Sequence, residues 1–297
     1  MSDPNRNVLF DLEELSSLLP PDERVSIPKS FPVDDMAVLG NQMYLRLAMK
    51  LVNAYAERMK DALTLYRPLP GDATRFHESM ARIRLLNGSN QAGKTLTAEA
   101  EFARIARGKD PFNKRADKYL KMMAVGKDAR HIGQVMWRKL YWSGAFDCIV
   151  DNETGFIRSV RPDPLNPTQI DPSDAARRKE WIPSPPLIPD SCIGSITWES
   201  MGEGIPKVVT LKNGTEMLWC TSNGAPPNGI QLDVAHFDEE LTSDRWLPET
   251  LPRLLRFGGI FFWSATPQAS TPQFFDLHKR AVAGDPDIEE FTLLIEN

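Results

Sequence analysis

Two rhythms of apolar and polar positions run along this chain, and the places where one gives way to the other mark its elements. Met43, Leu47, Leu51, Tyr55, Met59 and Leu63 recur every fourth residue, with Val52, Ala56 and Ala62 beside them. That spacing predicts one long amphipathic helix, ended by Pro68, whose stripe packs on the rest of the protein. Ahead of it, Leu9, Phe10, Leu12, Leu15, Leu18 and Leu19 lie in a polar stretch closed by Pro20 and Pro21, which predicts a short helix and a proline-bounded linker. Short apolar runs predict buried strands near residues 83–87, 121–125, 234–238, 259–264 and 290–295. Between the first two, Leu96, Ala98, Ala100, Phe102, Ala103 and Ile105 predict a helix ending near Gly108, and a further helix starts near Pro272. Residues 207–220 fold back at Asn213 and Gly214, a hairpin that would extend an edge of the central sheet. From 151 to 189, many prolines and scarce periodicity predict a surface excursion. Strands alternating with helices predict an α/β domain with a mostly parallel central sheet flanked by helices.

Composition narrows the class without choosing a function. With 297 residues, 41% of them hydrophobic, the chain can bury a large core. Thirty-five Lys and Arg against 40 Asp and Glu leave a net charge of −5, so contact with nucleic acid would be local rather than spread over the whole surface. The densest basic stretch runs from Arg104 to Arg130. It reads either as a solvated loop or as a face toward a neighbouring subunit or DNA. Cys148, Cys192 and Cys220 are far apart, and His77, His131, His236 and His278 are scattered; neither set has metal-ligand spacing. No signal-like or membrane-spanning run stands out, so the expected setting is a reducing cytoplasm and the expected metal is Mg²⁺ rather than zinc.

Three motifs supply chemistry. Gly88, Ser89, Asn90, Gln91, Ala92, Gly93, Lys94 and Thr95 make a complete G-x-x-x-x-G-K-T loop between a strand signal and a helix signal. In that frame backbone N–H groups and the helix N-terminus face phosphates, Lys94 places a charge on them, and the Thr95 hydroxyl is a hard ligand for Mg²⁺. The bland alternative is a glycine-rich turn with a solvated lysine. The strand at 234–238 closes on Asp238, Glu239 and Glu240. Asp238 is the expected metal carboxylate and Glu239 the expected base acting on water, with Glu240 its helper or a helix start. As the third motif, the strand at 259–264 ends in Ser264, Ala265 and Thr266, whose hydroxyls could sense a γ-phosphate at the sheet's carboxyl edge; a plain strand end with a helix cap is the alternative.

In this order, the three motifs resemble the ATPase domain of the large terminase subunit, the DNA-packaging motor of tailed bacteriophages. The approach to the loop from Phe76, the run from Met122 to Gly126 and the approach to the acids from Asn228 are similar as well, so the resemblance covers roughly residues 66–297. It implies a P-loop NTPase fold of the RecA/ASCE type in residues 67–297, with an N-terminal helical segment in residues 1–66. It also implies ATP and Mg²⁺ as cofactors, double-stranded DNA as the track, portal protein and a small terminase subunit as partners, a homo-oligomeric ring on the procapsid, and no membrane. The setting would be the cytoplasm of an infected bacterial host, outside the mature particle. Three departures matter. Asn90 stands where some members carry an arginine in the loop. No glutamine lies between Leu69 and Phe76 to read adenine. The chain stops at Asn297, without room for the family's metal nuclease. The missing charge is then expected from a neighbouring subunit, with Arg104, Arg107 and Arg130 as first choices and Arg253 and Arg256 in reserve. Two rivals stay open: a motor lobe of a superfamily-2-like helicase or remodeller, and a nucleotide-dependent assembly protein without turnover.

Overall fold

The computed structural model describes residues 46, 50 and 60–293, except 90, 91, 116–118, 154, 257 and 267–271. The chain divides into two compact units, Met1–Lys60 and Asp61–Asn297. The stripe from Met43 to Met59, the N-terminal leucines, and Asn90 and Gln91 lie outside the described residues. Within the second unit, helix α1 (Ala62–Leu65) is capped by the Asp61 carboxylate, which accepts from Leu63 N–H at 3.1 Å. Ala62, Leu63 and Tyr66 are buried in the core of this unit. Residues 61–66 therefore belong to the same body as the P-loop.

Helix α2 (Asp72–Glu78) leads into strand β1 (Ile83–Gly88), the loop, and helix α3 (Lys94–Ala106). Strand β2 (Lys121–Gly126) follows, then helix α4 (Ala129–His131), a π-helical turn over Ile132–Met136 and helix α5 (Trp137–Tyr141). Strands β3 (Asp147–Val150) and β4 (Ile157–Ser159), helix α6 (Pro172–Ala176) and strand β5 (Ile182–Pro183) form an excursion. The chain returns through β6 (Ile193–Ser200), β7 (Ile205–Leu211), β8 (Glu216–Thr221) and β9 (Val234–Asp238). Helix α7 (Trp246–Leu255), β10 (Ile260–Ala265), helix α8 (Pro272–Val282) and β11 (Ile288–Leu293) complete it.

Eight strands form one sheet in the order β11-β1-β10-β9-β2-β8-β7-β6. The first six run parallel and the last two are added antiparallel through the hairpin at Asn213 and Gly214. Alternation along the strands sends side chains to two cores. Leu86, Met122, Ala124 and Phe262 face α3 and α5, while Leu85, Met123, Val125, Phe237 and Trp263 face α7 and α8. Cover on both faces is why the parallel strands read as continuous apolar runs.

The predicted excursion at 151–189 instead contains most of a second, three-stranded sheet in the order β4-β3-β5. Its strands are two to four residues long, too short to show a period. Arg158 ties it together, donating to Asp174 at 2.7 and 2.8 Å and to Asp151 at 2.7 Å. Much of the basic stretch from 104 to 130 is spent on ion pairs inside the fold, while Lys121, Lys127 and Arg130 are exposed. Arg107 pairs with Asp61 at 2.8 Å, Lys114 with Glu101 at 3.0 Å and Arg115 with Asp233 at 2.7 Å. The buried Glu101 also holds Arg84 at 2.7 Å and His77 at 2.8 Å, fastening α3 to β1 and α2. Removing one partner of such a cluster strands a charge in a low-dielectric interior.

Candidate nucleotide-binding and hydrolysis site

The site stands at the carboxyl edge of the parallel strands, where the P-loop strand β1 and the acid strand β9 are separated by β10. Gly88 ends β1 with φ +149°, and a Cβ there would lie 2.0 Å from the Leu293 carbonyl oxygen of β11. Only glycine lets these two strands run side by side into the loop. Gly93 sits in the left-handed region at φ +85° and caps α3 without a side-chain bond, so the first-turn N–H groups of a 13-residue helix stay directed at the loop. Lys94 Nζ donates to the carbonyl oxygens of Gly88 at 3.1 Å and Ser89 at 2.7 Å. Burial holds the ammonium below the usual lysine range, against the pull of the Glu239 and Asp238 carboxylates.

Thr95 and Asp238, 143 residues apart in sequence, meet here: Thr95 Oγ1 donates to Asp238 Oδ2 at 3.3 Å. These are the hard oxygen donors expected of a Mg²⁺ site that takes its other ligands from phosphate and water. Among the described residues no group of three His, Cys, Asp or Glu forms an all-protein cage. The residues present therefore fit Mg²⁺ bound together with a triphosphate. Burial would raise the Asp238 carboxyl, but bonds from His131 and Ser264 and the charges of His131 and His236 hold it below its ordinary value.

Glu239 follows directly, with φ +66°. Its N–H donates to the Ser264 carbonyl at 2.7 Å, and its carbonyl accepts from Trp263 Nε1 at 2.8 Å. Burial and the neighbouring Asp238 charge raise its carboxyl above the usual range, the direction a general base at neutral pH requires. Glu240 points elsewhere, to Lys127 at 3.4 Å, which separates the two acids as the sequence could not.

Ser264 does not open on the crevice. It is fully buried in β10, donates from Oγ to Asp238 Oδ1 at 2.5 Å and meets His236 Nε2 at 3.0 Å. Its place is to aim the Asp238 carboxylate, which corrects the expectation of a γ-phosphate sensor. Thr266 lies beyond the strand, where its backbone bonds the Glu239 carboxyl. Two histidines join the site that the sequence had left scattered. His131 Nε2 lies 2.8 Å from Asp238 Oδ2, carried there by α4 after Gly126, where a Cβ would strike the Ile132 side chain at 2.8 Å. His236 reaches Ser264 from β9. The i, i+2 spacing of His236 and Asp238 puts both on one face of that strand, a signal the sequence did contain; nothing comparable links His131 to a partner 107 residues away.

The arginines separate as clearly. Arg104 is buried over the Tyr66 ring at 5.2 Å, and Arg107 is spent on Asp61 and the Leu187 carbonyl. Both are engaged by groups within this chain. Arg253 bonds Glu249 at 2.8 Å and the Pro227 carbonyl, and Arg256 is exposed at the end of α7. Arg130 is exposed beside His131, its Nε donating to Gln134 at 3.0 Å.

No family model matches the chain, and no curated protein matches it. Among solved structures it is similar to the large terminase ATPase domain of Thermus phage P74-26, at 13% identity and a TM-score of 0.44 over 76% of this chain and 81% of that one. It is also similar to the large terminase of a thermophilic bacteriophage in complex with ATP-gamma-S, at 12% identity and a TM-score of 0.42 over 80% of this chain and 44% of that one. The large terminase of bacteriophage HK97 matches at 10% identity and a TM-score of 0.43, over 97% of this chain and 43% of that one. The chain spans less than half the length of the last two. The residue roles given above stand on this chain's own geometry.

Proposed function

We propose that this chain is an ATP-hydrolysing motor domain of the large-terminase type, which moves double-stranded DNA into a procapsid. The observation that carries the hydrolytic part is the convergence of Thr95, Asp238 and Glu239 at the N-terminus of α3, beside a complete P-loop. The loop's N–H groups and Lys94 would grip the phosphates, and Thr95 and Asp238 would hold Mg²⁺, which supplies positive charge to the phosphate oxygens. Ser264 and His131 orient the Asp238 carboxylate. The raised Glu239 carboxylate accepts a proton from the attacking water and aligns it with the terminal phosphorus. The packaging part rests on the order of the three motifs. It brings with it DNA, the portal, a small terminase subunit and a homo-oligomeric ring as partners, and the host cytoplasm as the setting.

The test separates grip from chemistry. Lys94→Ala is expected to abolish nucleotide binding, whereas Glu239→Gln keeps binding and loses turnover by about 10²- to 10⁴-fold. Binding is read by titration with a fluorescent nucleotide and turnover by phosphate release, with and without duplex DNA, single-stranded DNA and portal. Equal loss of binding in both variants would refute the assignment of roles. Stimulation by single-stranded but not duplex DNA would favour a helicase lobe over a packaging motor.

A further inference from the structure

Behind the acid site, Glu99 of α3 and His236 of β9 face each other, both fully buried. Glu99 Oε1 and His236 Nδ1 are 3.8 Å apart, and neither these atoms nor Glu99 Oε2 has a hydrogen-bond partner among the described residues. The other buried acid of α3, Glu101, takes up Arg84, Lys114 and His77. Among the described residues Glu99 is left with His236 alone. The imidazole itself is held in place, stacked on the Phe262 ring at 4.8 Å with its other nitrogen, Nε2, 3.0 Å from Ser264 Oγ.

Hydrogen-bond polarity fixes where the protons sit. Ser264 has one hydroxyl proton, and it goes to the charged Asp238 Oδ1 at 2.5 Å rather than to the Phe237 carbonyl at 3.4 Å. Ser264 Oγ must then accept from His236, which puts a proton on Nε2. An imidazole protonated there alone turns a bare lone pair at Nδ1 toward Glu99. An ionised carboxylate opposite it would set lone pair against lone pair, so the facing atoms need one proton, and a protonated Glu99 supplies it. Burial and the Asp238 charge favour that form, holding the Glu99 carboxyl well above its ordinary value. We infer that Glu99 and His236 are positioning residues for the metal carboxylate. Glu99 closes the gap by rotation and donates to His236 Nδ1, His236 donates to Ser264, and Ser264 donates to Asp238 Oδ1. Oδ2 is thereby kept toward Thr95 and His131. Thr95 and Glu99 lie one turn apart on the same side of α3, so the helix that supplies the metal hydroxyl also aims the carboxylate opposite it. Partners of this kind, one bond removed from the metal, are worth about ten- to a hundredfold in its affinity. The inference rests on the Mg²⁺-nucleotide reading of the P-loop.

The experiment compares the unaltered chain with Glu99→Gln, which keeps a donor for Nδ1, and Glu99→Leu, which fills similar space with none. Mn²⁺ affinity in the presence of the non-hydrolysed analogue AMP-PNP is read by electron paramagnetic resonance. Nucleotide affinity without metal is read by titrating a fluorescent analogue in EDTA. Glu99→Leu is expected to weaken Mn²⁺ binding by about ten- to a hundredfold and to leave nucleotide affinity in EDTA unchanged. Glu99→Gln should bind Mn²⁺ as the unaltered chain does. General damage to the core would weaken both affinities together. Nitrogen NMR of histidine-labelled protein, free of metal and nucleotide, should show His236 with a proton on Nε2 and none on Nδ1, its signals assigned by their loss in His236→Asn. A proton on Nδ1 overturns the inference. So does a Glu99→Leu chain that holds Mn²⁺ as tightly as the unaltered one, or a Glu99→Gln chain that loses as much as Glu99→Leu. These three results leave the nucleotide-binding reading standing, whereas an unaltered chain that binds no nucleotide with or without metal overturns that reading and the inference together.

Discussion

Glu239 holds a left-handed backbone at φ +66° although it carries a side chain, a conformation that costs about 1–2 kcal/mol in a residue other than glycine. Bonds to Ser264 and Trp263 hold it there, and the gain is direction: the carboxylate faces the Lys94 side of the site while Glu240 turns to Lys127. Strain kept at the position proposed for the base is a cost the rest of the fold offsets. Glu239→Gly should therefore raise stability by about 1 kcal/mol, or roughly 2–4 °C in Tm for a unit of this size, while removing turnover. A scanning calorimetry trace with Tm unchanged or lower would mean that the backbone is not strained there.

Glu99 on α3, one turn beyond Thr95, faces His236 on β9 with 3.8 Å between Oε1 and Nδ1. Neither Glu99 oxygen nor His236 Nδ1 has a hydrogen-bond partner among the described residues. Burial, helped by the Asp238 charge, pushes the Glu99 carboxyl well above its ordinary value, and burial pushes His236 down to about 4 despite the opposing pull of Asp238. Between pH 4.5 and 6.5, the two ordinary values, the folded pair carries one proton on the acid and the unfolded pair carries one on the imidazole. Equal proton counts mean no slope of stability with pH from the pair. Each single substitution should expose a slope of its own sign. In Glu99→Gln the unfolded chain alone takes up a proton, so stability relative to the unaltered chain falls as pH drops from 6.5 toward 4.5. In His236→Asn the folded chain alone keeps one, so relative stability falls as pH rises above 4.5. Urea denaturation across this window reads both; parallel profiles in all three proteins would mean that burial shifts neither group.

Over the molecule as a whole, the inward folding of the basic stretch leaves Arg130 as an exposed cation beside His131 and the Asp238 site. An arginine at the terminal phosphate is worth about 10³ to 10⁵ in rate for P-loop enzymes. If a neighbouring subunit supplies it, turnover per subunit should rise with protein concentration. Arg130→Ala should then be slow alone and partly rescued by mixing with Lys94→Ala chains, which keep the arginine. A fast rate independent of concentration, in a chain shown monomeric by light scattering, would place the charge within the subunit or make it unnecessary.

What the sequence determined by itself was local and periodic. The strands predicted near 83–87, 121–125, 234–238 and 259–264 stood out because strands buried on both faces are mostly apolar. The edge strand Ile288–Leu293 instead carries Glu289, Glu290 and Thr292 and begins two residues before the predicted 290–295. The loop from Gly88 to Thr95, the Asp238 and Glu239 pair and the hairpin at Asn213 stood out because their chemistry needs consecutive residues. Tertiary structure alone decided what depends on distance through space. It brought His131 to Asp238, turned Ser264 into the sheet, consumed Arg104 and Arg107 inside the core, and built a three-stranded sheet from strands too short to show a period. A side chain's partner is set by which strands lie side by side, and no window of sequence contains that order.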